Sequence, residues 1–256
     1  MIDSHCHLDF EAFDVDRMDI LKRCWELGIK RILIPGTQAS QWQSLIELCD
    51  KTSMLEYGLG IHPYFIKQSE QAHLDNLITL LEQHSSVRAV GEIGLDFFDT
   101  DQQSEIKQQD FFSQQLDIAN QYKLPVIIHH RRSHNAIIQS LKHQNFQQAG
   151  VIHAFSGSYQ QAKTYLDLGF KLGFGGVITY PRARKTRDVL KRIPLNAVVL
   201  ETDAPDMPIC GKQGRRNSPE FLPEIAQQIA QIKGVSLDEV INHTTANSCE
   251  LFSIKD

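Results

Sequence analysis

The sequence predicts an α/β protein: a (β/α)8 TIM barrel that forms a single domain over residues 1–256. Two observations lead to this fold class. Short apolar runs alternate strictly with longer amphipathic segments, as is typical of βα units around a parallel sheet. The length of 256 residues is also typical of one such barrel, and no Pro/Gly/Ser-rich linker divides the chain.

The eight strand-like runs are rich in Val, Ile and Leu, as expected for parallel strands buried on both faces. They are Ile2–Leu8, Arg31–Pro35, Tyr57–Ile61, Arg88–Leu95, Pro125–His129, Gly150–Ala154, Lys171–Gly175 and Ala197–Asp203. An open doubly wound sheet would normally carry a Gly-rich phosphate turn after its first strand, whereas this first strand ends in His-Cys-His. The closed barrel is therefore preferred, with its active site at the C-terminal ends of the strands.

The segments between these runs show the apolar spacing of amphipathic helices. The spacing i, i+3, i+4, i+7 occurs in Trp42, Leu45, Ile46 and Cys49, and again in Leu74, Leu77, Ile78 and Leu81. A longer helix is expected from about Gln102 to Tyr122. Gly28 and Gly169 follow the first and sixth helical segments, where a left-handed residue often ends a helix.

Composition limits the cellular setting and the partners. The five cysteines, which are Cys6, Cys24, Cys49, Cys210 and Cys249, form no C-x-x-C pair, so reduced thiols in a cytoplasmic protein are expected. No apolar run approaches the roughly 18 residues that a membrane span needs, so we expect no membrane partner. The chain is expected to be a monomer. A net charge of −5 gives no general reason for nucleic-acid binding, and an anionic ligand would need a local basic patch.

The N-terminal stretch Asp3–Asp9 contains the first candidate metal ligands. His5 and His7 lie two residues apart, so on a strand both imidazoles point to the same face. Alone, such a pair is more often a solvated strand end than a metal site. Later strand-like runs, however, also end in a histidine or a carboxylate, and these groups are expected to meet at one site.

The other candidate ligands are Glu92, His129 or His130, His153 and Asp203. The imidazoles and carboxylates together exceed what one tetrahedral ion accepts, so they predict two divalent metal ions that share a bridging carboxylate, either Glu92 or Asp203. Mixed ligation of this kind fits Zn, Mn, Ni or Co, with Mg as a further candidate. By strand parity, His129 and His130 cannot both face the barrel axis. Glu201 shares a face with Asp203 and is expected one layer deeper.

Together these motifs resemble the TatD-type metal-dependent deoxyribonucleases, which are barrel enzymes of the amidohydrolase-like group. The resemblance runs from H-x-H-x-D at the N-terminus through G-I-H-P, G-E-I-G-L-D, P-V-I-I-H-x-R, H-A-F-S-G, E-T-D-A-P and N-S-P-x-F-L. It implies one metal held by His5, His7, Glu92 and Asp203, and a second held by Glu92, His129 and His153. It places His62 near the substrate and selects His129 on the fifth strand. His130 departs from the small residue that the family often carries at its position.

The predicted substrate is a phosphodiester of DNA, with RNA as an alternative. A single strand or an exposed end is expected to enter the barrel pocket more easily than an intact duplex. Basic residues follow the fifth, seventh and eighth strands in Arg131-Arg132, Arg182-Ala183-Arg184-Lys185 and Lys212-Gln213-Gly214-Arg215-Arg216. Such cations would hold phosphates around the metals, although a run like the second is equally expected on a solvated surface. Glu92 and Asp203 are the predicted catalytic residues, with Asp203 accepting the proton of the attacking water. His62, Arg131 and Asn217 are the predicted substrate-binding residues, although a helix start at Pro219 explains the Asn217 segment equally well.

Two other functions fit parts of this pattern. A lactonase, phosphotriesterase or cyclic amidase of the amidohydrolase-like group would share H-x-H and the Asp of the eighth strand. Such enzymes commonly bridge their metals with a modified lysine at the end of the fourth strand, where this chain has Glu92. A metal-loaded binding protein without turnover is disfavoured because the ligand set and Asp203 are complete.

Overall fold

Eight parallel strands lie side by side in chain order in the computed structural model, which describes residues 1–255. The strands are β1 (Ile2–Asp3), β2 (Arg31–Pro35), β3 (Leu55–Leu59), β4 (Val87–Asp96), β5 (Val126–Arg131), β6 (Gly150–Ile152), β7 (Phe170–Phe174) and β8 (Val198–Leu200). Backbone hydrogen bonds from Ser4 N to Leu200 O (2.8 Å) and from Asp203 N to His5 O (2.9 Å) join the last strand to the first. The predicted barrel is confirmed. The predicted domain ends at Asp256, which lies outside the described residues.

Helices connect the strands and cover the outside of the barrel. They are α1 (Arg17–Glu26), α2 (Trp42–Asp50), α3 (Gln71–Gln83), α4 (Gln102–Tyr122), α5 (His134–His143), α6 (Tyr159–Asp167), α7 (Arg184–Arg192), α8 (Leu222–Lys233) and α9 (Leu237–Phe252). The bounds of α4 match the expected helix. Gly28 and Gly169 adopt φ angles of 81° and 82° after α1 and α6, as predicted. Within residues 1–255, no helix is long and apolar enough to cross a membrane.

The apolar side chains form two separate cores. The larger core lies between the outer face of the strands and the helices. The smaller core fills the barrel and contains one residue from most strands together with the end of α9, in the set Ile2, Leu33, Ala89, Ile127, Val151, Val199, Leu251, Phe252 and Ile254. The end of α9 therefore packs on the residues inside the barrel, and the opposite end is left to the polar site.

An irregularity in β4 directs Glu92 into the barrel. Ala89 belongs to the inner core, whereas Val90 and Ile93 belong to the outer core. The pairing of β4 with β5 shifts register between Val90 and Ile93, and the Gly91–Glu92 peptide bond is cis. A Cβ atom at Gly91 would lie 2.7 Å from Cβ of Ile127, so only glycine fits there. Strict alternation would have placed Ala89 and Glu92 on opposite faces, and the shift brings both inward.

Three predicted strands that carry candidate ligands are shorter than expected, and one of them is β6, which ends at Ile152 rather than Ala154. β1 ends at Asp3 rather than Leu8, and β8 ends at Leu200 rather than Asp203. The chain leaves the regular ladder there, and Asp203 adopts a left-handed φ of 57°. His5, His7 and Asp203 therefore lie on loops at the C-terminal rim.

Candidate metal centre

A cavity opens at the C-terminal rim of the barrel. It has a volume of about 660 Å³, which is in the usual range for a ligand site. Its lining includes the imidazoles and carboxylates His7, His62, Glu92, His129, His153 and Asp203. The end of the barrel that was predicted to hold the active site is therefore the end where these side chains meet.

Four side chains surround one point on the β1 and β8 side of this cavity. His5 Nε2 lies 3.3 Å from Glu92 Oε2 and 3.6 Å from Asp203 Oδ1. His7 Nε2 lies 3.5 Å from Glu92 Oε2 and 3.7 Å from Asp203 Oδ1. The two Nε2 atoms are 3.3 Å apart. Around an ion with bonds of roughly 2.1 Å, tetrahedral ligand atoms lie about 3.4 Å apart, so this spacing fits a divalent metal.

Asp3 holds the loops that carry these ligands together. Its Oδ1 accepts hydrogen bonds from His5 N (3.2 Å) and Thr202 N (3.0 Å), and its Oδ2 accepts one from the Thr202 hydroxyl (2.6 Å). Complete burial raises the pKa of Asp3 to about 7, against the lowering effect of these hydrogen bonds. The carboxyl group thereby fixes the loop after β1 to the loop after β8.

A second group gathers on the other oxygen of Glu92. Oε1 lies 3.2 Å from His129 Nδ1 and 3.5 Å from His62 Nε2. Asp96 Oδ2 lies 3.4 Å from the remaining ring nitrogen of His129, and this carboxylate was not among the predicted site residues. Since the two oxygens of Glu92 face different imidazole groups, this side chain has the placement of a bridging carboxylate.

His153 lies between the two groups. Its ring stacks on that of His5 with centroids 3.5 Å apart, and its Nε2 lies 3.6 Å from Asp203 Oδ2. The structure gathers His5, Glu92 and His153 into one possible metal-binding group, and His62, Glu92 and His129 into another. The set Glu92, His129 and His153 implied by the family resemblance does not occur as one group among the described residues.

Glu201 lies directly beneath His153, in the deeper layer predicted for it. Its Oε1 lies 3.2 Å from His153 Nδ1 and accepts a hydrogen bond of 2.6 Å from Ala154 N. Gly173 provides the space for this carboxylate, because a Cβ atom there would lie only 2.1 Å from Glu201 Oε2. A carboxylate behind an imidazole commonly orients a metal ligand.

The two central carboxylates are ionised despite burial. Burial alone would raise the pKa of Glu92, but the surrounding histidines, led by His62 and His5, hold it well below its usual value. Burial acts on Asp203 in the same direction, and His153, His5 and His7 outweigh it, so the pKa of Asp203 is also lowered. Within residues 1–255, neither carboxylate forms a salt bridge with a lysine or arginine.

The imidazoles divide according to their neighbours. Burial lowers the pKa of His62 to about 3 and, together with the repulsion of His153, lowers the pKa of His5. A lowered pKa favours the neutral imidazole, which is the form that binds a metal. Burial also opposes the charged form of His153, but Glu201 and Asp203 outweigh it and raise the pKa of this ring.

These observations test whether the donor set fits divalent ions. Buried, ionised carboxylates without a lysine or arginine partner need another positive charge. The donor atoms have the spacing of metal ligands, and the mixture of nitrogen and oxygen suits Zn, Mn, Ni or Co. The residues therefore fit the metals that the sequence predicted.

The fifth strand resolves the choice that parity left open. His129 lies against Glu92 in the cavity, whereas His130 lines the cavity wall with its ring packed on the His134 ring, centroids 3.9 Å apart. Ile128 belongs to the outer core and Ile127 to the inner core, in agreement with alternation along β5. His129 is thus the residue that faces Glu92.

Asn217 is placed differently from its predicted role in substrate binding. It is fully buried, and its Nδ2 donates to the backbone oxygens of Thr202 (2.8 Å), Asp206 (2.7 Å) and Met207 (3.3 Å). Because its donors are used within the loop after β8, this side chain braces the loop rather than reaching the cavity.

The predicted basic loops also separate into two kinds. Arg131 lines the cavity, as predicted. On the loop after β8, Arg216 forms a salt bridge of 2.5 Å with Asp16, and Lys212 lies 3.6 Å from Glu224. These last two cations are engaged with α1 and α8 and are not among the residues that line the cavity.

Comparisons with known proteins identify the family and the fold of the chain. The family model described as TatD related DNase matches residues 2–253. The chain is 41% identical over 254 residues to the uncharacterized metal-dependent hydrolase YjjV of Escherichia coli K12, covering 99% of this chain and 98% of that protein. It is 37% identical to an uncharacterized metal-dependent hydrolase of Haemophilus influenzae, with 98% of each chain covered. The crystal structure of YjjV, a TatD homolog, superimposes with a TM-score of 0.95 at 40% identity and covers 100% of this chain and 98% of the other.

Proposed function

Because the chain belongs to the TatD-related DNase family, and is thus a TatD-type metal-dependent hydrolase, we propose that it is a deoxyribonuclease. Its substrate would be single-stranded DNA or an exposed DNA end, cleaved at a centre of two divalent ions. One observation carries this proposal. The two oxygens of Glu92 face two separate imidazole groups, which is the arrangement that a pair of bridged metals requires.

The ligands divide between two positions. His5, His7, Asp203 and Glu92 Oε2 would hold the first ion. Glu92 Oε1 and His129 would hold the second. Its further imidazole is either His153, as the family resemblance implies, or His62, whose Nε2 lies 3.5 Å from the same oxygen. Metal content of His62→Asn and His153→Asn variants distinguishes these assignments.

Asp203 is the residue placed to move a proton. It is ionised and faces the cavity, so it can orient a water and accept its proton, and His153, 3.6 Å away, stabilises the carboxylate form before that transfer. When bound, the divalent ions would supply an acidified water and offset charge on the phosphate oxygens. Arg131 lines the same cavity and would hold a non-bridging phosphate oxygen, together with His62 if His153 is the ligand of the second ion.

The decisive experiment incubates the metal-analysed protein with end-labelled single-stranded DNA, duplex DNA and RNA, with and without chelator. Hydrolysis that requires metal and favours single-stranded DNA supports the proposal. A lactone and a phosphotriester are tested in parallel, and preference for either would assign the chain to another hydrolase class.

The matched variants are Glu92→Gln and Glu56→Gln. The first keeps the shape but removes the bridging charge, so metal content falls and the rate drops roughly 1,000-fold. Glu56 pairs with Arg88 (2.7 Å) and is not among the cavity-lining residues, so its variant keeps both properties. Wild-type metal content and rate in Glu92→Gln would reject the bridging role.

A further inference from the structure

Two smaller cavities flank the metal-centre cavity. The first, here the Phe98 cavity, has a volume of about 320 Å³ and shares Tyr64 and Arg131 with the central one. The second, here the Tyr180 cavity, has a volume of about 320 Å³ and shares Val177 and Met207 with it. Each of the two smaller cavities therefore adjoins the central one.

Planar groups are exposed in the Phe98 cavity. Tyr64 is 76% exposed and Phe98 is 45% exposed, so both rings are accessible to a ligand in this cavity. The guanidinium of Arg131 lies 3.5 Å from the centre of the Phe98 ring, and that of Arg132 lies 4.6 Å from it. Asp96 also lines this cavity, but its oxygens are occupied by Phe98 N (2.9 Å) and His129 (3.4 Å).

The Tyr180 cavity repeats this combination on the opposite side. The guanidinium of Arg182 lies 5.1 Å from the centre of the Tyr180 ring. The Tyr180 hydroxyl donates to Pro208 O (2.7 Å), which fixes the ring in the wall. Each side of the metal centre thus carries an aromatic ring with an arginine against it.

These arginines differ from most others in the chain in having no acidic partner. Arg23, Arg88 and Arg216 each form a salt bridge of 2.7 Å or less with a carboxylate. Within residues 1–255, no carboxylate lies within salt-bridge distance of Arg131 or Arg182, and both side chains are exposed. Unpaired guanidinium groups next to aromatic rings are suited to phosphates and to the faces of nucleobases.

We infer that the Phe98 and Tyr180 cavities are subsites for the nucleotides on either side of the one at the metal centre. The substrate is then a single strand that continues in both directions, its bases stacked on the aromatic and guanidinium planes and its phosphates held by Arg131 and Arg182. Stacking is tolerant of sequence, so cleavage has little base preference. A duplex keeps its bases stacked on each other and cannot make these contacts. The inference rests on the proposed function.

The test compares a single-stranded DNA octamer with methyl p-nitrophenyl phosphate, a phosphodiester that carries no nucleobase on either side of its phosphate. The variants are Phe98→Ala, Arg182→Ala and, as a matched control on a remote exposed aromatic residue, Trp25→Ala, whose ring is 51% exposed on α1. The ratio of kcat/KM for the octamer to that for the small substrate should fall roughly 10-fold in each subsite variant, mainly through KM, and stay unchanged in the control. Phe98→Tyr keeps the plane and should restore the ratio.

Binding of a fluorescein-labelled octamer in the presence of chelator is measured in parallel. It should weaken by a similar factor in Phe98→Ala and Arg182→Ala. An unchanged ratio together with unchanged binding in either variant overturns the two-sided arrangement. If the wild-type protein hydrolyses neither substrate, the proposed function fails, and the binding arm still decides the inference.

Discussion

Gly173 on β7 offers a sharp test of how the barrel positions the metal centre. The substitution Gly173→Ala adds one methyl group whose carbon would lie 2.1 Å from Glu201 Oε2 and 2.6 Å from its carboxyl carbon. Non-bonded contacts of this kind need about 3.5 Å, so the carboxylate must move by more than roughly 1 Å. That movement separates Glu201 from Ala154 N and from His153.

The expected cost follows from two contributions. Inserting a methyl group into a packed interior costs about 1–3 kcal/mol. Losing a hydrogen bond from a buried amide to a carboxylate costs about 1.5–3 kcal/mol more. For a chain of this length, a total on the order of 4 kcal/mol corresponds to a fall in Tm of roughly 8–16 °C. Metal affinity should fall by about 10- to 100-fold, because His153 loses the group that orients it.

Calorimetry and metal titration of Gly173→Ala measure both effects, with Gly175→Ala as the control. A Cβ atom at Gly175 would lie 3.1 Å from Glu201 O and 3.5 Å from its Cγ, so small adjustments accommodate it. Glu201→Gln removes the charge without adding volume, and should weaken metal binding with a smaller fall in Tm. A Tm within 2 °C of wild type and unchanged metal affinity in Gly173→Ala would refute the reasoning.

Three further predictions concern residues outside the metal centre. Asn217→Ala leaves the buried carbonyls of Thr202 and Asp206 without the amide that donates to them, so the free energy of unfolding in urea titrations should fall by roughly 2–4 kcal/mol. If Asn217 instead binds substrate, the variant would raise KM and keep its stability. Arg216→Ala removes an exposed ion pair and should cost less than about 1 kcal/mol in the same titration, with no change in KM for an oligonucleotide. Burial lowers the pKa of His134 to about 4, so the unfolded chain binds a proton on this ring more strongly than the folded chain does, and stability should be lost as the pH falls from 6.5 towards 4. The His134→Asn variant should reduce that loss by on the order of 2 kcal/mol. Parallel pH profiles of stability for the variant and the wild type would contradict this.

The alternation of apolar runs and amphipathic segments was sufficient to predict the barrel, because burial of both strand faces and one helix face leaves a direct trace in the sequence. The last helix, α9, was not assigned, since most of its residues are polar and only its end, Leu251 and Phe252, closes the barrel interior. Such a contact joins the two ends of the chain, and local spacing does not encode it.

The predicted ligands meet at one end of the barrel because parallel strands in a closed ring direct their C-terminal ends to the same rim. Asp96, by contrast, was not singled out, because its relation to His129 depends on the pairing of β4 with β5. The role suggested for Asn217 was also not supported, because a buried amide and a ligand-binding amide look alike in sequence.

The sequence by itself determined that strand ends bearing imidazoles and carboxylates surround one rim of an eight-stranded barrel. Only the tertiary structure decided which nitrogen faces which oxygen of Glu92, and that His62 rather than His153 stands beside His129. The reason is geometric: the register shift around Gly91 and the left-handed backbone at Asp203 point the side chains of Glu92 and Asp203 in directions that an ideal strand would not give. Both features depend on contacts between strands that are distant in the chain.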